Sequence, residues 1–323
     1  MKKQYIAVPV SMIILAAAAV VAVKSGSVTI GFGEILSAVT GKGGENSAII
    51  NQIRLPRIFF ALLVGGMLAV SGAVLQAALK NPLVDPFITG ISSGSAFGAA
   101  AAIIAGLSSL IAPAIAGAVV TVIIVYRLSV TYAGLDVTKL LLTGVMIGSF
   151  FSAMIMLLNA LFSRDIARVV LWLMGDLSNI SPSYIMPSAV IAAAVIILCM
   201  FFANDLNILS AGEEEAKTLG VNTELIKAVF FISASTLTAV SVALCGVIGF
   251  VGLIVPHIVR KFTGPDLRLV IPVSFITGAA FLLFADTAAR TLFLPSEMPV
   301  GVITGLIGVP VFITILNSKA KKL

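Results

Sequence analysis

The sequence predicts an all-α integral membrane protein with about ten transmembrane helices. Three observations carry that prediction. Of the 323 residues, 59% are hydrophobic and only 11% are charged, and the mean hydropathy is +1.16. Charged residues make up about a quarter of a typical soluble chain, so too few are present here to coat a water-facing globule. Apolar windows, most approaching the roughly 20 residues that cross a hydrocarbon core of about 30 Å, follow one another along the chain. Both ends are rich in lysine: Lys2 and Lys3 at one, Lys319, Lys321 and Lys322 at the other. An even number of spans puts both ends on one side, and the positive-inside rule puts that side in the cytoplasm.

Breakers and charges delimit windows at 5–23, 56–79, 88–106, 109–127, 138–161, 185–203, 223–246, 250–262, 267–290 and 300–317. The first follows a lysine pair, as a secretory signal would, but from Tyr5 to Val23 it exceeds the 7–15 apolar residues usual for a signal and reads as a retained helix. The eighth window is short. Residues 24–53, with VTIGFGEILSAV and GKGGENS, read as a surface loop carrying a short helix. The chain is expected to form a single transmembrane domain over 1–323. On this topology most of the 20 lysines and arginines fall on the cytoplasmic side, so the net charge of +6 needs no nucleic-acid partner.

Small residues recur at helical spacing: Gly65, Ala69 and Gly72; Gly90, Gly94 and Gly98; Gly301, Gly305 and Gly308. Such stripes let backbones approach closely where no hydrophobic force drives helices together. Packing within one bundle and a dimer seam both use them.

Catalytic machinery is not legible. The single histidine, His257, lies beside Pro256 and is expected to be hydrogen-bonded at a helix break, with a direct role in transport as the alternative. Cys199 and Cys245 fall in apolar runs, where a thiol acts as a small hydrophobe, and no cysteine pair has metal-ligand spacing. The phosphate-loop pattern GxxxxGK[ST] is absent. Asp286 and Arg290, four residues apart, share a helix face within a span; charge there is costly, and a structural ion pair and a functional role both fit.

GEEEAKTLG, residues 212–220, sets three carboxylates between two long apolar runs. It must lie outside the lipid. Acids at a helix start complement its dipole, and Ala216 and Leu219 read as one side of a short helix suited to a partner; a merely solvated loop is the alternative.

RLPRIFFALLVGGMLAVSGAVLQAALKNPLVDPFITGISSGSAFG (54–98), VLWLMGDLS (170–178), LSAGEEEAKTLGV (209–221), GFVGLIVPHIVR (249–260), ADTAAR (285–290) and MPVGVITGLIGVPVFI (298–313) together resemble the FecCD family, the permease subunits of type II ABC importers for iron-siderophores, haem and cobalamin. The resemblance implies a cobalamin-importer-permease-like bundle in a prokaryotic plasma (inner) membrane. It also implies a homodimer, cytoplasmic ATPase subunits and an external substrate-binding protein. ATP and magnesium would belong to the ATPase; this chain itself would bind no cofactor, hold no metal and catalyse no reaction. ATPase coupling would fall to Gly212, Glu213, Glu214, Glu215, Ala216, Lys217, Leu219 and Gly220. Binding-protein docking would fall to Arg54, Arg57 and Arg290, although RLPR also suits interfacial anchoring of the second span. The translocation path would follow the fifth span, with a constriction near Asp136, Val137 and Thr138 and a lining of Thr143, Met146, Ser149 and Phe150. Ferric siderophore is the first expected cargo, haem or cobalamin next. The rival reading is an ion-coupled secondary transporter or channel, which would need intramembrane ionisable groups.

Overall fold

The computed structural model describes residues 2–26, 31, 33–34, 37, 46–132, 134–178, 180–294 and 296–320. Most of the segment containing VTIGFGEILSAV and GKGGENS lies outside the described residues. Helices occupy all ten expected spans: α1 (Lys2–Lys24), α2 (Leu55–Ala78), α3 (Ile91–Ile104), α4 (Ile111–Ser129), α5 (Val137–Leu161), α7 (Ile185–Phe201), α10 (Thr223–Cys245), α11 (Val251–Thr263), α12 (Leu267–Thr291) and α13 (Val300–Ala320). Among the described residues, seven helices are long and apolar enough to cross a membrane. The described residues also form three short helices, α6 (Ile166–Leu173), α8 (Ala203–Ala211) and α9 (Glu213–Thr218), and a hairpin of β1 (Val130–Thr131) and β2 (Gly134–Leu135). Alternation along the ten long elements leaves both termini at one end of the bundle, here the terminal face; the other is the distal face.

The second span begins earlier than the sequence indicates. A π-helical turn at Ile49–Arg54 runs directly into α2, whose first turn contains Pro56. α2 is the central post. Its buried small residues let α12 and α11 come close: a methyl group on Gly65 would meet the Gly278 carbonyl, and one on Gly72 would run into Gly252. The glycines of α3 do the same for α4, since Gly94 faces Gly117 and Gly98 faces Pro113. Packing within one chain therefore accounts for these two stripes. In the third, Gly301 and Gly308 also pack internally, against Met174 and Phe250, whereas nothing lies within 4 Å of the Cβ position at Gly305.

α11 explains the short eighth window. Its 13 residues span about 20 Å at 1.5 Å per residue, well short of a hydrocarbon core. It begins inside the bundle beside Gly72 of α2. Backbone that is irregular at such a depth must be satisfied within protein: the Asp176 amide donates to the Cys245 carbonyl at 2.8 Å and the Val300 amide to the Gly175 carbonyl at 3.1 Å. Phe250, entering α11 with φ of +70°, adopts a left-handed conformation that a bulky residue rarely takes.

Pro256 does not break the helix, contrary to the sequence expectation, because its neighbours absorb the defect. Proline lacks the N–H that would bond the carbonyl four residues back, leaving Gly252 without its helical donor. Gln76 Nε2 supplies one at 3.2 Å, and also donates to Val84 (3.2 Å) and Leu253 (3.3 Å) carbonyls. The Gln76 carbonyl oxygen in turn accepts from Arg260 Nη1, while Arg260 Nη2 donates to the Ala73 carbonyl at 2.8 Å. One amide thus ties α2, α11 and the 80–85 loop together.

Candidate functional site

On the terminal face, Gly212 ends α8 in an extended conformation and α9 starts with Glu213, Glu214 and Glu215 in its first turn. The turn closes at Gly220, whose φ of +80° favours glycine, and the Val221 amide donates to the Ala216 carbonyl at 2.9 Å. Ala216 is fully buried in the chain's own core, while Leu219 is 69% exposed. This corrects the expectation that the two share a partner-facing side: Ala216 seats the helix, and Glu214, Glu215, Lys217 and Leu219 project from it. Glu213 turns inward, accepting from Lys227 Nζ at 2.9 Å with Lys217 Nζ at 3.3 Å. The hydrogen bond from Lys227 holds the Glu213 carboxyl below the usual carboxylate range.

The fifth span starts where expected. Asp136 caps α5, its carboxylate accepting from the Lys139 amide at 3.0 Å. Val137 is half-buried and Thr138 exposed; along the helix Thr143 is half-buried and Met146, Ser149 and Phe150 are exposed. Gly144 and Gly148 face the other way, against the turn at Gly90, whose φ is +77°. That close approach opens a groove of about 450 Å³ lined by Ile88, Ser93, Ser149, Ser152 and Met156 among others. Ile88 and Ser93 come from the segment after NPLVDP and were not anticipated; the matched four-residue glycine spacings at 90–94 and 144–148 were the available signal.

Near the distal face three arginines gather around Asp286 and the end of α1. Arg54, Arg57 and Arg290 are 4%, 8% and 5% exposed. Arg57 Nε donates to Asp286 Oδ1 at 2.9 Å, and Arg57 Nη1 to Glu297 Oε2 at 2.7 Å. Arg290 Nε lies 3.4 Å from Asp286 Oδ2, as the i, i+4 spacing predicts. The remaining donors cap α1: Arg54 Nη1 bonds the Val23 carbonyl at 2.7 Å, and Arg290 reaches those of Ala22 (2.6 Å) and Ser25 (3.0 Å). A helix end leaves such carbonyls unsatisfied, with partial negative charge that attracts cations. The family resemblance implies that these arginines face an external protein. As folded, all three are drawn into the bundle, because a fully buried Asp286 and the end of α1 both require them; Glu297, 47% exposed, is the outward member.

The VLWLMGDLS segment builds the adjoining distal surface. α6 ends at Gly175, φ +77°, and Asp176 accepts from the Ser178 amide at 2.8 Å. Above it lies a cavity of about 710 Å³ lined by Arg168, Trp172, Asp176, Tyr184, Glu297 and Met298 among others.

Comparison with known proteins agrees with this architecture. A solved inward-facing structure of a metal-chelate type ABC transporter superposes with a TM-score of 0.85 at 33% identity, covering 97% of this chain and 99% of that one. The cobalamin import system permease of Halobacterium salinarum is 40% identical, covering 84% of this chain and 74% of its own length. A siderophore transport system permease of Bacillus subtilis is 36% identical, covering 89% and 88%. The model of the FecCD transport family matches residues 14–318. Bundle, half-length α11 and exposed α9 thus belong to a multi-pass ABC transporter permease, and the chain is a member of the FecCD transport family.

Proposed function

We propose that this chain is the membrane-spanning permease of an importer that moves a bulky metal chelate, ferric siderophore first, into the cytoplasm of a prokaryote. ATP is hydrolysed on separate subunits and cargo arrives on an extracytoplasmic binding protein. In this reading the terminal face is cytoplasmic, α9 is the ATPase contact, and two copies of the chain enclose a path along α5. Val137 and Thr138 stand at the inner constriction; Thr143, Met146, Ser149 and Phe150 form an inert wall. The binding protein docks over the distal cluster of Arg54, Arg57 and Arg290, meeting Glu297 first.

The observation that carries the reading is α9 itself. A buried Ala216 pins a six-residue helix whose free side offers Glu214, Glu215, Lys217 and the apolar Leu219 to whatever lies below. An exposed leucine among charges suits an interface core with a polar rim. The secondary-transporter alternative finds little support at Asp286, which is held by Arg57 and Arg290 rather than standing open to a coupling ion. The test is charge reversal: E214K/E215K should abolish copurification of the ATPase encoded with this permease while the chain still folds. Undiminished association and transport would reject α9 as the contact.

A further inference from the structure

α10 starts immediately after the α9 turn. Asn222 caps it, accepting from the Leu225 amide at 3.1 Å, and its first turns carry Glu224 and Lys227. Lys227 is 6% exposed, an unusual burial for lysine. Its ammonium bridges two carboxylates, Glu213 of α9 at 2.9 Å and Glu224 at 3.5 Å. The second oxygen of Glu224 accepts from the Leu135 amide at 2.5 Å. Leu135 closes the β1–β2 hairpin, paired with Val130, and directly precedes Asp136, the cap of α5. The carboxylate of Glu224 fills the place where a side chain on Gly134 would stand, and Gly134 has a φ of +100°. Only glycine accommodates both demands.

An unbroken series of charged and hydrogen-bonded contacts therefore runs from α9 to Leu135 of the hairpin, the residue before the α5 cap. Nothing in it is needed merely to cap a helix, since Asn222 and Asp136 already serve that purpose. We propose that Glu213–Lys227–Glu224 is the strut that converts displacement of α9 into displacement of the β1–β2 hairpin and the inner end of α5, with Lys227 as its positioning residue. The inference rests on α9 being the ATPase contact. Because Lys227 pulls on both carboxylates, the α9 and hairpin ends move as one body, and removing the ammonium leaves two acids that repel. Contiguity alone does not establish coupling; the strut must be broken and the transmission measured.

The full complex in proteoliposomes, with ATPase and loaded binding protein, provides the measurement. ATPase copurification, ATP hydrolysis and cargo moved per ATP are recorded for wild type, K227M, K227R, E224Q and K227M/E224Q. K227M should retain the ATPase and hydrolyse ATP but move at least tenfold less cargo per ATP; K227R should recover most of it. The double variant should resemble K227M, because both changes cut one strut. If K227M does not fold, E213Q weakens the same bridge from its α9 end, and its cargo-to-ATP ratio decides. An unchanged ratio, additive losses, or loss of ATPase binding in K227M alone would overturn the proposal. A wild-type chain that recruits no ATPase would overturn the underlying reading as well.

Discussion

Arg57 Nε donates to Asp286 Oδ1 at 2.9 Å across 229 positions of sequence, joining the first turn of α2 to the last third of α12 inside the bundle. Removing one partner of such a pair strands a buried charge, which costs about 3–5 kcal/mol, whereas replacing both by apolar groups can be nearly neutral. Arg57→Ala and Asp286→Ala should each lower the thermal transition in detergent sharply. R57M/D286L should lose less than the sum of the two single changes, its remaining loss coming from Arg290, which keeps only the α1 carbonyls as partners; an additive double variant would contradict the pairing.

Gln76 satisfies the carbonyl orphaned by Pro256 and holds Arg260. Gln76→Leu keeps the volume and removes donor and acceptor alike. Unsatisfied buried groups cost about 1–3 kcal/mol each, so the variant should be destabilised by that order. Chemical denaturation read by Trp172 fluorescence would measure it.

The glycine contacts separate internal packing from association. Gly72→Ala places a methyl group against the Gly252 backbone, and overpacking costs about 1–3 kcal/mol; folded yield should fall. Gly305→Ala meets nothing within 4 Å and should leave the transition of the single chain unchanged. Size-exclusion chromatography coupled to light scattering would report whether Gly305 lies in a dimer seam.

Asp85, in the loop between α2 and α3, is buried and caps the turn Pro86–Thr89 by accepting from the Phe87 amide at 2.9 Å. Burial pushes its carboxyl up to about 6, against the opposing pull of that hydrogen bond. A group whose pKa rises on folding contributes stability that is complete below its ordinary value, near 4, and is lost as pH rises through about 6. The thermal transition should therefore drop between pH 5 and pH 7.5 by more in wild type than in Asp85→Asn, which keeps the capping oxygen without the charge. Parallel curves would refute this.

Composition and window length sufficed to locate all ten long helices, since the hydrophobic signal of a span is written over some twenty consecutive residues. Direction within a helix was harder. Ala216 and Leu219 are three apart and were read as one side, yet the neighbouring core takes one and leaves the other exposed. The arginines at 54, 57 and 290 lie at the end of the bundle away from the termini, but sequence does not show that the last turn of α1 lies beside Arg54 and Arg290; that contact spans 31 residues for Arg54 and 268 for Arg290. The β1–β2 hairpin and α6 are not legible in the sequence because two-residue strands and eight-residue helices carry too little periodicity. Gln76 looked like one polar residue in an apolar run, and its role depends on a proline 180 positions away in sequence.

The central claim, that movement along α5 is driven by a partner acting on α9, is tested most directly by uptake. Proteoliposomes holding this chain with its ATPase receive ferric siderophore, haem or cobalamin on the cognate binding protein, with and without ATP. The account predicts uptake of one metal chelate that requires ATP and is lost in E214K/E215K. Uptake indifferent to ATP and to that substitution would contradict it.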